Sequence, residues 1–185
     1  MRERPDRKKV RFMASGQVSL RKGAHLLIEA WRKLKPAQAE LHFYGGNLLP
    51  ERFQKEIPAG ITFHGSKSRA EVVRAYEESD VLVFPTLCDG FGMVVPEAMT
   101  AGCAVITTRN AGAADWIEEG KNGWVVEAAS AEALAEGMQK ALDADGRLDE
   151  MRAKAQETAK RHTWENFRQR FAECLYEEEF LYKKS

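Results

Sequence analysis

The chain has 185 residues, 44% of them hydrophobic, with Lys plus Arg equal to Asp plus Glu at 28 each. That length supports one good hydrophobic core and is too short for two of that size. Balanced charge leaves no global field to hold nucleic acid, and no run approaches the roughly eighteen apolar residues of a membrane span.

Met1 to Lys9 is charged, carries Pro5 and lacks an apolar face, so 1–9 read as an interdomain linker or its remnant, with no apolar signal-peptide core. Val10 to Ala14 predicts a strand, Ser15 to Leu20 a loop, and Leu26, Leu27, Ala30, Trp31 and Leu34 the apolar stripe of a helix near 23–35. Arg21 and Lys22 then sit at a helix N-terminus, where the dipole disfavours cations by about 0.3–1 kcal/mol. Two cations there point to an anion to be held, the plainer alternative being two solvated surface charges.

Strands follow at 41–44 and 61–64. Ser68 and Glu71 form a capping box that opens a helix over 69–78. The apolar run Val81 to Phe84 reads as a buried parallel strand over 81–85. Further elements are a helix at 94–101, a strand at 104–108, a helix at 112–118 and a strand at 124–126. From Ser130 the chain reads as helical through Leu134, Met138, Leu142, Leu148 and Met151. A last helix near Trp164 to Tyr182 carries Phe167, Phe171, Leu175 and Phe180 on or close to one face. This alternation predicts an α/β fold: a Rossmann-like, doubly wound parallel sheet of about six strands, with helices on both faces and a helical C-terminal tail.

The most informative stretch is Asp89-Gly90-Phe91-Gly92-Met93-Val94-Val95-Pro96-Glu97. Pro96 belongs in a first helical turn, where its missing N–H costs nothing, so the amides of Gly92, Met93 and Val94 are expected to lack helical partners. Free amides at a helix N-terminus make an anion site, and small glycines let a phosphate approach the backbone. Taken singly, Glu97 reads equally well as a dipole-stabilising acid and Asp89 as a turn residue. Together they flank a phosphate-sized site that two acids would repel unless they hold something else. Sugar hydroxyls fit, because ionised carboxylates are strong acceptors. A ligand with phosphates and polyol groups at both ends satisfies the whole segment.

A dinucleotide-binding dehydrogenase domain is a rival that the residues disfavour, since its fingerprint needs Gly or Ala three places beyond the second glycine, where Val95 stands. Cys88, Cys103 and Cys174 make no disulfide framework and suit a reducing cytoplasm. Cys88 reads as a small apolar filler, and His25, His42, His64 and His162 have no metal-ligand spacing.

The order Gly16…Arg21-Lys22-Gly23, Phe63-His64-Gly65, Glu78-Ser79-Asp80, Asp89-Gly90-Phe91-Gly92 with Glu97-Ala98-Met99, and Gly120-Lys121-Asn122-Gly123 resembles the C-terminal domain of family 4 (group 1) glycosyltransferases of the GT-B architecture. The resemblance implies a retaining enzyme that moves a hexose-type sugar from a nucleoside-diphosphate-sugar to an acceptor, with no metal or other cofactor. It makes Asp89 and Lys22 the catalytic candidates, Asp89 beside the donor sugar and Lys22 neutralising the diphosphate. Glu97 corresponds to the acid that accepts from the ribose hydroxyls. Phe91, Gly92, Met93 and Val94 match the turn cradling sugar and diphosphate, with Gly16, Gln17 and Arg21 in the first loop. Ser66 and Lys67 lie in the segment that receives the base.

Two positions depart from the family pattern. Gln17 stands where Arg is frequent, so charge neutralisation leans on Lys22 and Arg21. Asp89 replaces a usual Glu and is one methylene shorter. The resemblance also implies a division into a donor-binding domain at 10–163 and a helix at 164–185 that packs towards an N-terminal domain carrying the acceptor site. The chain is therefore expected to be a fragment or a split half, poorly active alone. Its acceptor would be a glycan, lipid or small molecule, and its location the cytoplasm or the inner face of a membrane. The alternative is a nucleotide-sugar epimerase-like or non-catalytic donor-binding half.

Overall fold

A computed structural model describes residues 9–182, with the side chains of 145 and 176–182 outside the description. Of the linker expected at 1–9, residues 1–8 lie outside the described residues, as does the side chain of Phe180. Six strands, β1 (Val10–Ser15), β2 (Ala39–Tyr44), β3 (Ile61–Phe63), β4 (Val81–Phe84), β5 (Ala104–Thr108) and β6 (Gly123–Val126), form one sheet in the order β3-β2-β1-β4-β5-β6. All pairings are parallel, with Phe12 opposite Leu41 and Val81, and Leu82 opposite Val105. Parallel strands need crossover connections, and the helices that supply them cover both faces.

Alternation along each strand divides the core in two. Phe12, Leu41, Phe43, Val83 and Ile106 face one way and pack with Leu27 and Trp31 of α1 (Ala24–Leu34) and Leu134 and Met138 of α4 (Ala131–Asp143). Met13, Leu82, Phe84 and Val105 face the other way. There they meet Tyr76 of α2 (Arg69–Glu77), Val95 and Met99 of α3 (Val94–Ala101), and Ala155 of α5 (Leu148–Arg161). Each fully buried side chain such as Leu27 or Met99 contributes about 1.5–3 kcal/mol from its removal from water. Trp31 keeps its polar edge satisfied by donating from Nε1 to the Ala59 carbonyl at 2.9 Å.

The capping box at α2 is present: Ser68 N donates to Glu71 Oε2 at 2.9 Å and Glu71 N to Ser68 Oγ at 3.3 Å. Ser130 caps α4 by accepting from Ala133 N. The helix expected over 112–118 is instead a short 3-10 turn, Gly112–Trp116. Tertiary bonds set its course, since Gly112 N donates to the Gly90 carbonyl and Ala113 N to that of Phe91. Beyond α5, α6 (Trp164–Tyr182) leaves Trp164, Phe167, Phe171 and Leu175 exposed. Among the described residues, no helix is long and apolar enough to cross a membrane.

Candidate functional site

The strand order reverses between β1 and β4, so the loops leaving their carboxyl ends turn to opposite faces and leave a crevice between them. A cleft there is lined by Ser15, Gly16, Gln17, Lys22, Phe84 and Pro85. The two loops are knitted together: Leu87 N donates to the Arg21 carbonyl at 2.9 Å, and Thr86 Oγ1 reaches the same oxygen at 3.3 Å. Gly23 makes that approach feasible. Its φ is +70°, and a Cβ at this position would stand 1.9 Å from the Pro85 carbonyl oxygen.

Lys22 and Asp89 meet in this crevice as an ion pair, with 17% and 19% of their side chains exposed. The Lys22 ammonium also lies 5.1 Å from the centre of the Phe84 ring. Asp89 is held at both ends of its residue. Its N–H donates to the Asn110 carbonyl at 3.0 Å, and its Oδ1 accepts from Gly92 N at 3.1 Å. Lys22, beside the α1 N-terminus, thus has the carboxylate of Asp89 as its counter-ion in this structure. Arg21 Nη1 donates to the Cys88 carbonyl at 2.9 Å and ties the loops together, with the other N–H groups of the guanidinium left over. Cys88 is exposed and is therefore no apolar filler.

At α3 the expectation of three free amides is corrected to two. Gly92 N is taken by Asp89, and Val95 N and Glu97 N return to Gly92 and Met93 within the first turn. The amides of Met93 and Val94 donate to no acceptor among the described residues. Gly92 adopts φ +84° and is buried, whereas Phe91 and Met93 are exposed at the lip, with Phe91 edge-on to Trp116 at 5.4 Å. Glu97 lies in the first turn of α3 and is exposed. A carboxylate-lysine pair, two unpaired amides and a second acid one turn on together offer acceptors to hydroxyls and donors to an anion.

Gln17 is exposed in the cleft lining, after Gly16 with φ +103°. Ser66 and Lys67, both exposed, reach this region through the loop after β2: Gly45 N donates to the Gly65 carbonyl, and Val18 N to that of Gly46. Lys67 pairs with Glu71 at 3.6 Å. Among the described residues, no hydrogen bond or ion pair joins Ser66 or Lys67 to the Lys22–Asp89 pair.

Sequence reasoning missed Asn110, whose carbonyl and side chain hold the Asp89 N–H and the Leu87 carbonyl. It also missed Tyr76, a buried residue of α2. A third feature is the pair His42, on β2, and His64, just after β3, with Nδ1 and Nε2 2.8 Å apart and rings stacked. Burial, more than any other cause, holds both below the ordinary histidine pKa; the nearby Arg11 and, for His64, Lys67 add to it.

Residues 2–162 match the family model described as glycosyl transferases group 1. Among curated relatives, a D-inositol 3-phosphate glycosyltransferase from Corynebacterium urealyticum is 31% identical over 110 residues, 60% of this chain and 26% of that protein. Among solved structures, Anabaena HepE in complex with UDP and glucose superposes with a TM-score of 0.75 at 22% identity, covering 92% of this chain and 49% of the other. The C-terminal domain of a glycosyl transferase group 1 family protein from Francisella tularensis gives 0.72 at 22% identity, covering 83% and 86%. The chain spans about a quarter to a half of the length of the curated relatives it matches.

Proposed function

The chain belongs to the group 1 glycosyl transferases, and from that premise we propose that it is the nucleotide-sugar-binding half of a retaining enzyme that transfers a hexose-type sugar. The observation that carries this reading is the meeting of Lys22 and Asp89 at the switch point, one turn from the unpaired amides of Met93 and Val94. The diphosphate of the donor docks on those amides and on the ammonium of Lys22, which moves between Asp89 and the phosphates. Negative charge grows on the diphosphate as the glycosidic bond breaks. Donors already aimed at it therefore stabilise the transition state more than the bound substrate. Asp89 orients the donor sugar, and Glu97 accepts from the ribose hydroxyls. Gly16, Gln17 and the lip residues Phe91 and Met93 bound the donor, with Ser66 and Lys67 on the side of the base.

The acceptor, in this reading, comes from an N-terminal domain that α6 packs against, and 10–163 alone binds donor without efficient transfer. Front-face attack by that acceptor preserves the anomeric configuration. UDP is the first nucleotide to test, because a solved structure of this fold holds UDP and glucose. Calorimetric titration of the chain with UDP, GDP and ADP is expected to show binding of at least one. Glu97→Ala is expected to lower that affinity while leaving the binding of a free sugar phosphate as it was. Absence of binding by all three, or a Glu97→Ala variant with undiminished nucleotide affinity, refutes the assignment.

A further inference from the structure

Tyr76 is 1% exposed, packed in the core on the α3 face of the sheet, and among the described residues its hydroxyl has no hydrogen-bond partner. A buried phenol is ordinarily paired, so an orphaned hydroxyl marks a contact waiting to be made. Two polar groups approach it without completing a bond: the hydroxyl of Ser15, at the end of β1 and in the cleft wall, and the carboxylate of Glu97, in the first turn of α3. Burial, then the negative charge of Glu97, raises the phenol's pKa, with Ser15 acting in the opposite direction. The phenol is accordingly a neutral donor, and an ionised carboxylate accepts only.

We propose that Tyr76 is a positioning residue: its hydroxyl donates to the Glu97 carboxylate when a nucleotide occupies the cleft, holding one oxygen from below so that the other meets the ribose hydroxyls. The idea rests on the ribose role given to Glu97 above and adds a residue that touches no ligand. The acid sits on an exposed first turn, where an unrestrained side chain samples several rotamers. A donor fixed in the core removes that freedom before the ribose arrives, which is preorganisation of a binding group. Ring packing is independent of this, so Phe preserves the core and deletes the hydrogen bond alone.

The test is calorimetry of UDP and of 2′,3′-dideoxy-UDP with the wild-type chain, Tyr76→Phe, Glu97→Ala and the double variant, with thermal unfolding recorded for each. Tyr76→Phe is expected to weaken UDP by about 3–10-fold and to leave dideoxy-UDP unchanged, and the double variant to bind UDP as Glu97→Ala does. An equal loss for both nucleotides indicates a merely structural tyrosine and overturns the proposal. Unchanged UDP affinity in Tyr76→Phe beside a loss in Glu97→Ala also overturns it while leaving the ribose role of Glu97 standing. No loss in Glu97→Ala removes both.

Discussion

Lys22→Met tests the heart of the site, because methionine keeps an unbranched stem near the Phe84 ring and deletes only the charge that faces Asp89. Breaking a fully buried ion pair costs about 3–5 kcal/mol, and an exposed one about 0–1 kcal/mol. With four-fifths of each side chain covered, but with the Gly92 amide still donating to Oδ1, the loss should be about 2 kcal/mol. For a chain of this size that lowers the melting temperature by roughly 4–8 °C. Asp89→Asn retains an acceptor for Gly92 and supplies the second side of a double-mutant cycle, whose coupling is expected to be about 1–2 kcal/mol. Thermal and denaturant unfolding of the four proteins measure it. Additivity within about 0.3 kcal/mol would show that the pair does not hold the two loops together. The same Lys22→Met variant should bind UDP more weakly, and equal affinity would remove Lys22 from the diphosphate site.

Two further outcomes follow from local geometry. Gly23→Ala forces a left-handed alanine whose Cβ meets the Pro85 carbonyl oxygen, so it should destabilise by at least about 2 kcal/mol in denaturant titration; a change within about 0.5 kcal/mol would mean the loops part without cost. The histidine pair should make stability depend on pH. Both pKa values lie below 6.5 in the folded chain, so the unfolded state binds more protons near that pH; stability is full above 6.5 and is lost as pH falls through the folded values. Glu40 opposes this at His42, while Arg11 and Lys67 reinforce it. The melting temperature of wild type should therefore drop more steeply between about pH 7.5 and about pH 5.5 than that of a His42→Phe/His64→Phe variant, and parallel profiles would contradict the account.

The element order was readable in the sequence because apolar runs such as Val81 to Phe84 and the box Ser68-x-x-Glu71 are local signals, and the structure places β4 and α2 where they indicate. The helix expected at 112–118 shows where local signals end. Its apolar residues fit a helix, but the carbonyls of Gly90 and Phe91 capture the amides of Gly112 and Ala113 and shorten it to a 3-10 turn. Lys22 and Asp89 were each picked out from their own motifs, yet nothing in either motif says that one neutralises the other. Arg21 was picked out by the same rule, and nothing in its motif says that it also binds the Cys88 carbonyl, which the loop after β4 brings within reach.

Sequence by itself determined the architecture and the short list of charged and glycine positions, since both are written in periodicity and in residues whose backbone or ionic chemistry is local. Tertiary structure alone decided which members of that list meet. Parallel strands adjacent in the sheet come from distant stretches of chain, and the pairing of β1 with β4 brings residues 22 and 89 together across 67 positions. It also turns the Tyr76 hydroxyl, indistinguishable in sequence from any core tyrosine, towards Ser15 and Glu97.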